Sequence, residues 1–73
     1  MKVYPLNECR KKAQEFMDAG ARVYQQFNCG TCGAKQTIDE ENKFFTHGRC
    51  DVCGMETDLR IAGCNYAVIF SRR

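Results

Sequence analysis

The chain carries 73 residues, six of them cysteine, with 11 basic and nine acidic side chains for a formal net charge of +2. Leu, Ile, Val and Phe number only 14, just under the roughly 20% at which a weakly charged globular composition gives way to disorder. This length allows one domain over 1–73; the longest apolar run, Tyr66 to Phe70, is far below the ~20 residues of a membrane span. The stretch from Met1 to Glu8 has no apolar signal core, so the expectation is a cytoplasmic protein, with no membrane contact and with reduced thiols.

The first predicted element is an amphipathic helix over 6–20. Leu6, Cys9, Ala13, Phe16, Met17 and Gly20 recur at three and four residues, the period of one helical face. Asn7 is the expected N-cap and Gly20 the expected exit, while Arg10, Lys11, Glu15 and Asp18 form the opposite, solvated face. Residues 22–70 then read as short strands. Arg22 to Asn28, aromatic and β-branched, is the first strand, and Lys35 to Ile38 the second. Asp39 to Lys43 supplies a polar tip, and Phe44 and Phe45 begin the return. Glu56 to Ile61 is expected as a strand, Ala62-Gly63 as a tight turn and Cys64 to Phe70 as the most apolar strand, before a frayed basic end, Ser71-Arg72-Arg73.

Four cysteines form two doublets, Cys29-Gly30-Thr31-Cys32 and Cys50-Asp51-Val52-Cys53, with 17 residues between them. Two residues between thiolates let one tight turn aim both sulfurs at a common point, and 17 residues suit a hairpin that brings the second turn to face the first. Gly33 and Gly54, one after each doublet, permit the positive φ by which the chain leaves such a turn. The pattern predicts a tetrathiolate site for one zinc ion at Cys29, Cys32, Cys50 and Cys53, with iron as a surrogate, because tetrahedral sulfur sites accept both. A redox dithiol is the remaining use of a Cys-x-x-Cys pair, but it wants a single doublet at a helix start. Zinc binding contributes roughly 10–16 kcal/mol of apparent folding free energy, which supplies the stability that the apolar content lacks. Cys9 and Cys64 are expected as small core residues, and His47 stands three residues before Cys50 as a spare ligand.

The segment Phe27-Asn28-Cys29-Gly30-Thr31-Cys32-Gly33, with Arg49-Cys50-Asp51-Val52-Cys53-Gly54 and a C-terminal strand, resembles the zinc ribbon family. The resemblance spans about Val23 to Phe70 and implies two metal-binding turns that hold a small antiparallel sheet. A free-standing ribbon behind one short helix is similar to small proteins encoded in phage and bacterial genomes. The expected fold is thus a small α+β metal-stabilised domain, an N-terminal helix followed by a three- to four-stranded antiparallel zinc ribbon.

Zinc ribbons commonly work in transcription, replication and translation, which makes nucleic acid or a transcription or replication protein the implied partner. Lys35, Lys43, Phe44 and Arg49 are the candidate contact residues, since aromatics beside cations can stack bases. The charge speaks against a strong field: once four thiols ionise around one divalent zinc, the formal +2 falls to zero. A protein-interaction adaptor without nucleic-acid contact is therefore the alternative, and an iron-binding redox protein the third reading. Asp39 and Glu40 lie where ribbons of the transcript-cleavage factors carry an acidic pair, but the segment is shorter and their basic companion has no counterpart. With one His, no Ser-His-Asp grouping and no phosphate loop, no enzymatic activity and no small-molecule substrate are expected, nor a cleft of ligand size.

Overall fold

The computed structural model describes residues 2–70; the basic end expected at 71–73 lies outside them. An N-terminal helix α1 (Leu6–Asp18) is followed by strands β1 (Arg22–Asn28), β2 (Lys35–Thr37), β3 (His47–Arg49) and β4 (Glu56–Asp58). A one-turn helix α2 (Leu59–Ala62) and strand β5 (Asn65–Ile69) complete the chain. The strands are antiparallel throughout and divide into two sheets, β2-β1-β5 and β3-β4. The architecture is the expected small α+β domain, with its five strands split three and two. Among the described residues no helix is long and apolar enough to cross a membrane.

Helix α1 starts at Leu6, as the expected bounds 6–20 have it, but it is capped at Pro5 and not Asn7 and stops at Asp18, two residues short. Tyr4 exchanges backbone hydrogen bonds of 2.9 Å with Cys64, so the chain enters the helix through Pro5, whose carbonyl accepts from the Cys9 amide. Pro5 is the N-cap and Asn7 lies inside the first turn, because the bridge to Cys64, not a side-chain cap, fixes where the chain turns. At the other end Gly20 donates to the Met17 carbonyl and Ala21 to that of Phe16, both at 3.0 Å. This pair of bonds closes the helix at Asp18 with Gly20 just beyond its cap.

The stretch from Glu56 to Ile61 is a strand only as far as Asp58. The Asp58 carboxylate accepts from the Arg60 amide at 3.0 Å and caps a helical turn, which turns Leu59 into the core and leaves Ile61 exposed. Cys64 likewise precedes β5, because its backbone is engaged with Tyr4. The polar tip is tied down: Asn42 donates its amide to the Val23 carbonyl at 2.7 Å and accepts from the Val23 amide through its side chain at 3.0 Å.

The core gathers Leu6 and Cys9 from α1, Phe27 from β1, Leu59 and Cys64, with Tyr4, Ile38, Phe44 and Tyr66 packed around them. Cys9 and Cys64 are fully buried, as small core residues should be. In β1, Val23, Gln25 and Phe27 share the inward face. Gln25 sits there without penalty because its side-chain amide clasps the Phe45 backbone, accepting from the amide at 2.8 Å and donating to the carbonyl at 3.0 Å. That clasp holds the return segment against β1.

The two sheets meet where the Phe27 ring lies on Gly48 of β3. A Cβ placed on Gly48 would stand 2.4–2.9 Å from three carbons of that ring. Gly48→Ala is therefore expected to lower the unfolding free energy of the metal-loaded protein by about 1–3 kcal/mol in urea titrations, as overpacking does. An unchanged midpoint would show that the ring is not held against β3.

Candidate metal centre

Each cysteine doublet forms the same small loop. The Cys29 carbonyl accepts from the Gly33 amide and the Cys50 carbonyl from the Gly54 amide, both at 2.9 Å. Gly33 and Gly54 both adopt φ of 76°, the conformation expected of them. Within the first loop the amides of Thr31 and Cys32 point at Cys29 Sγ, at 3.4 and 3.5 Å. The second loop repeats this with Val52 and Cys53 on Cys50 Sγ, at 3.3 and 3.5 Å. Two adjacent backbone N–H groups aimed at one sulfur stabilise its thiolate form.

All four Sγ atoms lie within 4.8 Å of one another. The cross-loop pairs Cys29–Cys53 and Cys32–Cys50 stand at 3.5 Å. A tetrahedral ion with metal–sulfur bonds of about 2.3 Å needs sulfurs about 3.8 Å apart, so the set fits one such metal ion. Cys29 and Cys50 are buried whereas Cys32 and Cys53 are exposed, so the centre lies at the surface with two sulfurs facing solvent. His47 is outside the cluster: its Nδ1 lies 3.0 Å from Thr46 Oγ1 and its Nε2 3.7 Å from the Asp58 carboxylate.

Proton affinity is divided unequally among the sulfurs. The amides of Cys32 and Thr31 bring the Cys29 thiol down to about 6, and the Cys53 and Val52 amides lower Cys50. Cys53 receives a lowering bond from the Met55 backbone, but burial and the nearby thiols of Cys29, Cys50 and Cys32 push it up to about 12. Cys32 is raised as well: the Ala34 amide lowers it, and the shared proton with Cys50 and burial outweigh that amide. Without a metal, Cys32 and Cys53 hold their protons more tightly than Cys29 and Cys50.

Side chains distant in sequence hold the two loops in register. Gln36 on β2 donates to Cys50 Sγ at 3.7 Å and accepts from the Asp51 amide at 3.3 Å. Thr57 on β4 accepts from the Gly30 amide through Oγ1 at 3.0 Å. The sequence reading found neither residue, because a single polar side chain gives no sign of a partner 15 or 27 positions away. Gln25 does leave a sign, a polar residue at an inward position between Val23 and Phe27.

The four candidate contact residues differ in their surroundings. Lys35 and Arg49 are exposed, but Lys43 is paired with Glu40 at 3.5 Å and Phe44 packs on the core. A shallow groove of about 380 Å³ runs between the β2 and β3 segments. No family model, no curated protein and no solved structure matches the chain. The four-cysteine cluster in its small α+β frame is what defines the molecule, a site of the zinc-ribbon kind.

Metal binding should release at least two protons per ion at pH 7, because Cys32 and Cys53 must give theirs up. Protons compete with the metal for thiolate, so affinity falls as pH falls; competition against a chelator should show about two or more decades lost between pH 8 and pH 7. A pH-independent affinity would contradict the ligand set. Cys50→Ala should abolish binding, whereas Cys64→Ala should keep one metal per chain by mass spectrometry with reduced stability. Gln36→Ala should speed extraction by a chelator about tenfold, the usual effect of losing an outer hydrogen bond to a ligand.

Proposed function

We propose that the chain is a non-enzymatic zinc-ribbon binding module, in which one structural zinc ion presents the ribbon to a protein that processes nucleic acid. The observation that carries this reading is the convergence of four thiol sulfurs on one point. Four thiolates fill a tetrahedral zinc and leave no position for water or substrate, which makes the ion a structural one. The resemblance to zinc ribbons supplies the setting in transcription or replication.

Direct contact with nucleic acid is the second reading, and two observations favour a protein over it. Lys43 is engaged by Glu40 and Phe44 is engaged by the core, which leaves Lys35 and Arg49 of the four candidates. The loaded domain is also formally neutral, so no global field draws a phosphate backbone to it.

Native mass spectrometry of freshly purified protein should find one zinc ion per chain; iron, or a folded metal-free chain, would overturn the metal assignment. Titration with single- and double-stranded oligonucleotides at about 20 mM salt should give dissociation constants no tighter than about 100 μM, the weak end of non-specific binding. Micromolar or tighter binding that weakens steeply with salt would transfer the reading to nucleic acid.

A further inference from the structure

The β2 and β3 segments each present an open backbone edge to the same groove. In the β1–β2 ladder the hydrogen-bonded pairs are Gln25–Ile38, Phe27–Gln36 and Cys29–Ala34, as the bonds at either end of the ladder fix. Antiparallel pairing alternates, so the N–H and C=O of Thr37 point away from β1. In the β3–β4 ladder the bonded pairs are Thr46–Leu59, Gly48–Thr57 and Cys50–Met55, so those of His47 and Arg49 point away from β4. Neither edge has a strand partner among the described residues. Thr37, His47 and Arg49 all line the 380 Å³ groove, whose wall also includes Ile38, Phe45 and the edge of Phe27.

The charge along the groove is one-sided. Three carboxylates, Asp39, Glu40 and Asp51, line it against the single guanidinium of Arg49. Glu40 is partly balanced by Lys43, whereas Asp39 and Asp51 make no ion pair among the described residues. A phosphate backbone would meet repulsion here, and an extended segment with basic side chains would meet attraction. Unpaired strand edges next to apolar wall residues are the setting for β-strand addition, in which backbone bonds give affinity and alternate side chains give specificity.

We propose that this groove takes an extended, basic peptide segment of a protein partner, which pairs with the open edge of β2 or β3 and places alternate apolar side chains against Ile38 and Phe45. Its lysine or arginine side chains face Asp39 and Asp51. The proposal rests on the protein-docking reading given above and names the chemistry of the docked segment.

The test uses the zinc-loaded full chain, labelled with nitrogen-15, and two seven-residue peptides, one alternating valine with lysine and one alternating valine with glutamate. The lysine peptide should shift the amides of Thr37, His47, Gly48 and Arg49 and bind at least about tenfold more tightly than the glutamate peptide, given the cost of like charges in contact. Asp39→Asn combined with Asp51→Asn should weaken the lysine peptide about fivefold or more, with one zinc retained. Thr37→Pro removes the outward N–H, together with the exposed hydroxyl that accepts from Gln26 Nε2 at 3.3 Å, and should weaken both peptides. Equal binding of the two peptides, shifts confined to other elements, or indifference to the Asp39 and Asp51 changes would overturn the proposal. Failure of both peptides together with weak oligonucleotide binding would overturn the groove assignment and leave the docking reading intact. Tight oligonucleotide binding that shifts these same amides would overturn both. Groove shifts that grow with protein concentration in the absence of peptide would assign the edge to a second copy of the chain instead.

Discussion

Four sulfur atoms from two loops must stand at the corners of one small tetrahedron, and most of the molecule serves that requirement. The loops are built alike, with a backbone amide pair cradling the first sulfur of each and a glycine carrying the chain away. Everything between them has to bring the second loop back to the first at the correct height. Phe27 resting on Gly48 sets the spacing of the sheets, and Gln36 and Thr57 set the register of the loops. Thiolates that close repel one another strongly, so the arrangement holds only with protons or a cation between them. Proton affinity is divided accordingly, low at Cys29 and Cys50 beneath their amide pairs and high at Cys32 and Cys53, where thiol hydrogen bonds and burial favour the proton.

Much of this was legible in the sequence, for reasons that differ from residue to residue. The doublets were legible because a metal-binding turn is local: its ligands, amides and exit glycine lie within five residues. Strand β1 was legible because Val23, Gln25 and Phe27 alternate with polar positions on a half-buried surface. The helix was legible as a stripe but not at its ends, since Pro5 became the cap through a bond made to Cys64 at the far end of the chain. Glu56 to Ile61 was misread because Leu59 and Ile61 fit a strand's alternation, while Asp58 carried a competing signal as a helix cap. Phe44 and Lys43 could not be placed because composition does not say which aromatic faces in or which lysine has a neighbouring acid.

The metal centre and the hydrophobic core divide the work of stability. The core is built from few large side chains, and it uses two cysteines, Cys9 and Cys64, where longer chains would place leucine or valine. Those thiols sit one beside the other: the Cys9 thiol donates to Cys64 Sγ, which brings Cys64 down to about 7 and raises Cys9. Six cysteines therefore serve two separate ends, four as a ligand set and two as packing. A metal bound by four such thiolates would contribute folding free energy of order ten kcal/mol, enough to offset so small a core.

The bridge between Tyr4 and Cys64 has a consequence for the order in which the chain takes shape. Those residues lie at opposite ends of the sequence, yet they exchange two backbone hydrogen bonds and seat α1 against the ribbon. During synthesis α1 emerges before the ribbon, with Leu6, Cys9 and Ala13 on the face that the ribbon later covers. Its docking site on Cys64 and β5 is made after both metal-binding loops. The metal loops close earlier, over a short span in the middle of the chain. Both metal-binding loops are thus complete in the nascent chain before the residues that close the core, and the long-range clasp can form only once Cys64 has been made.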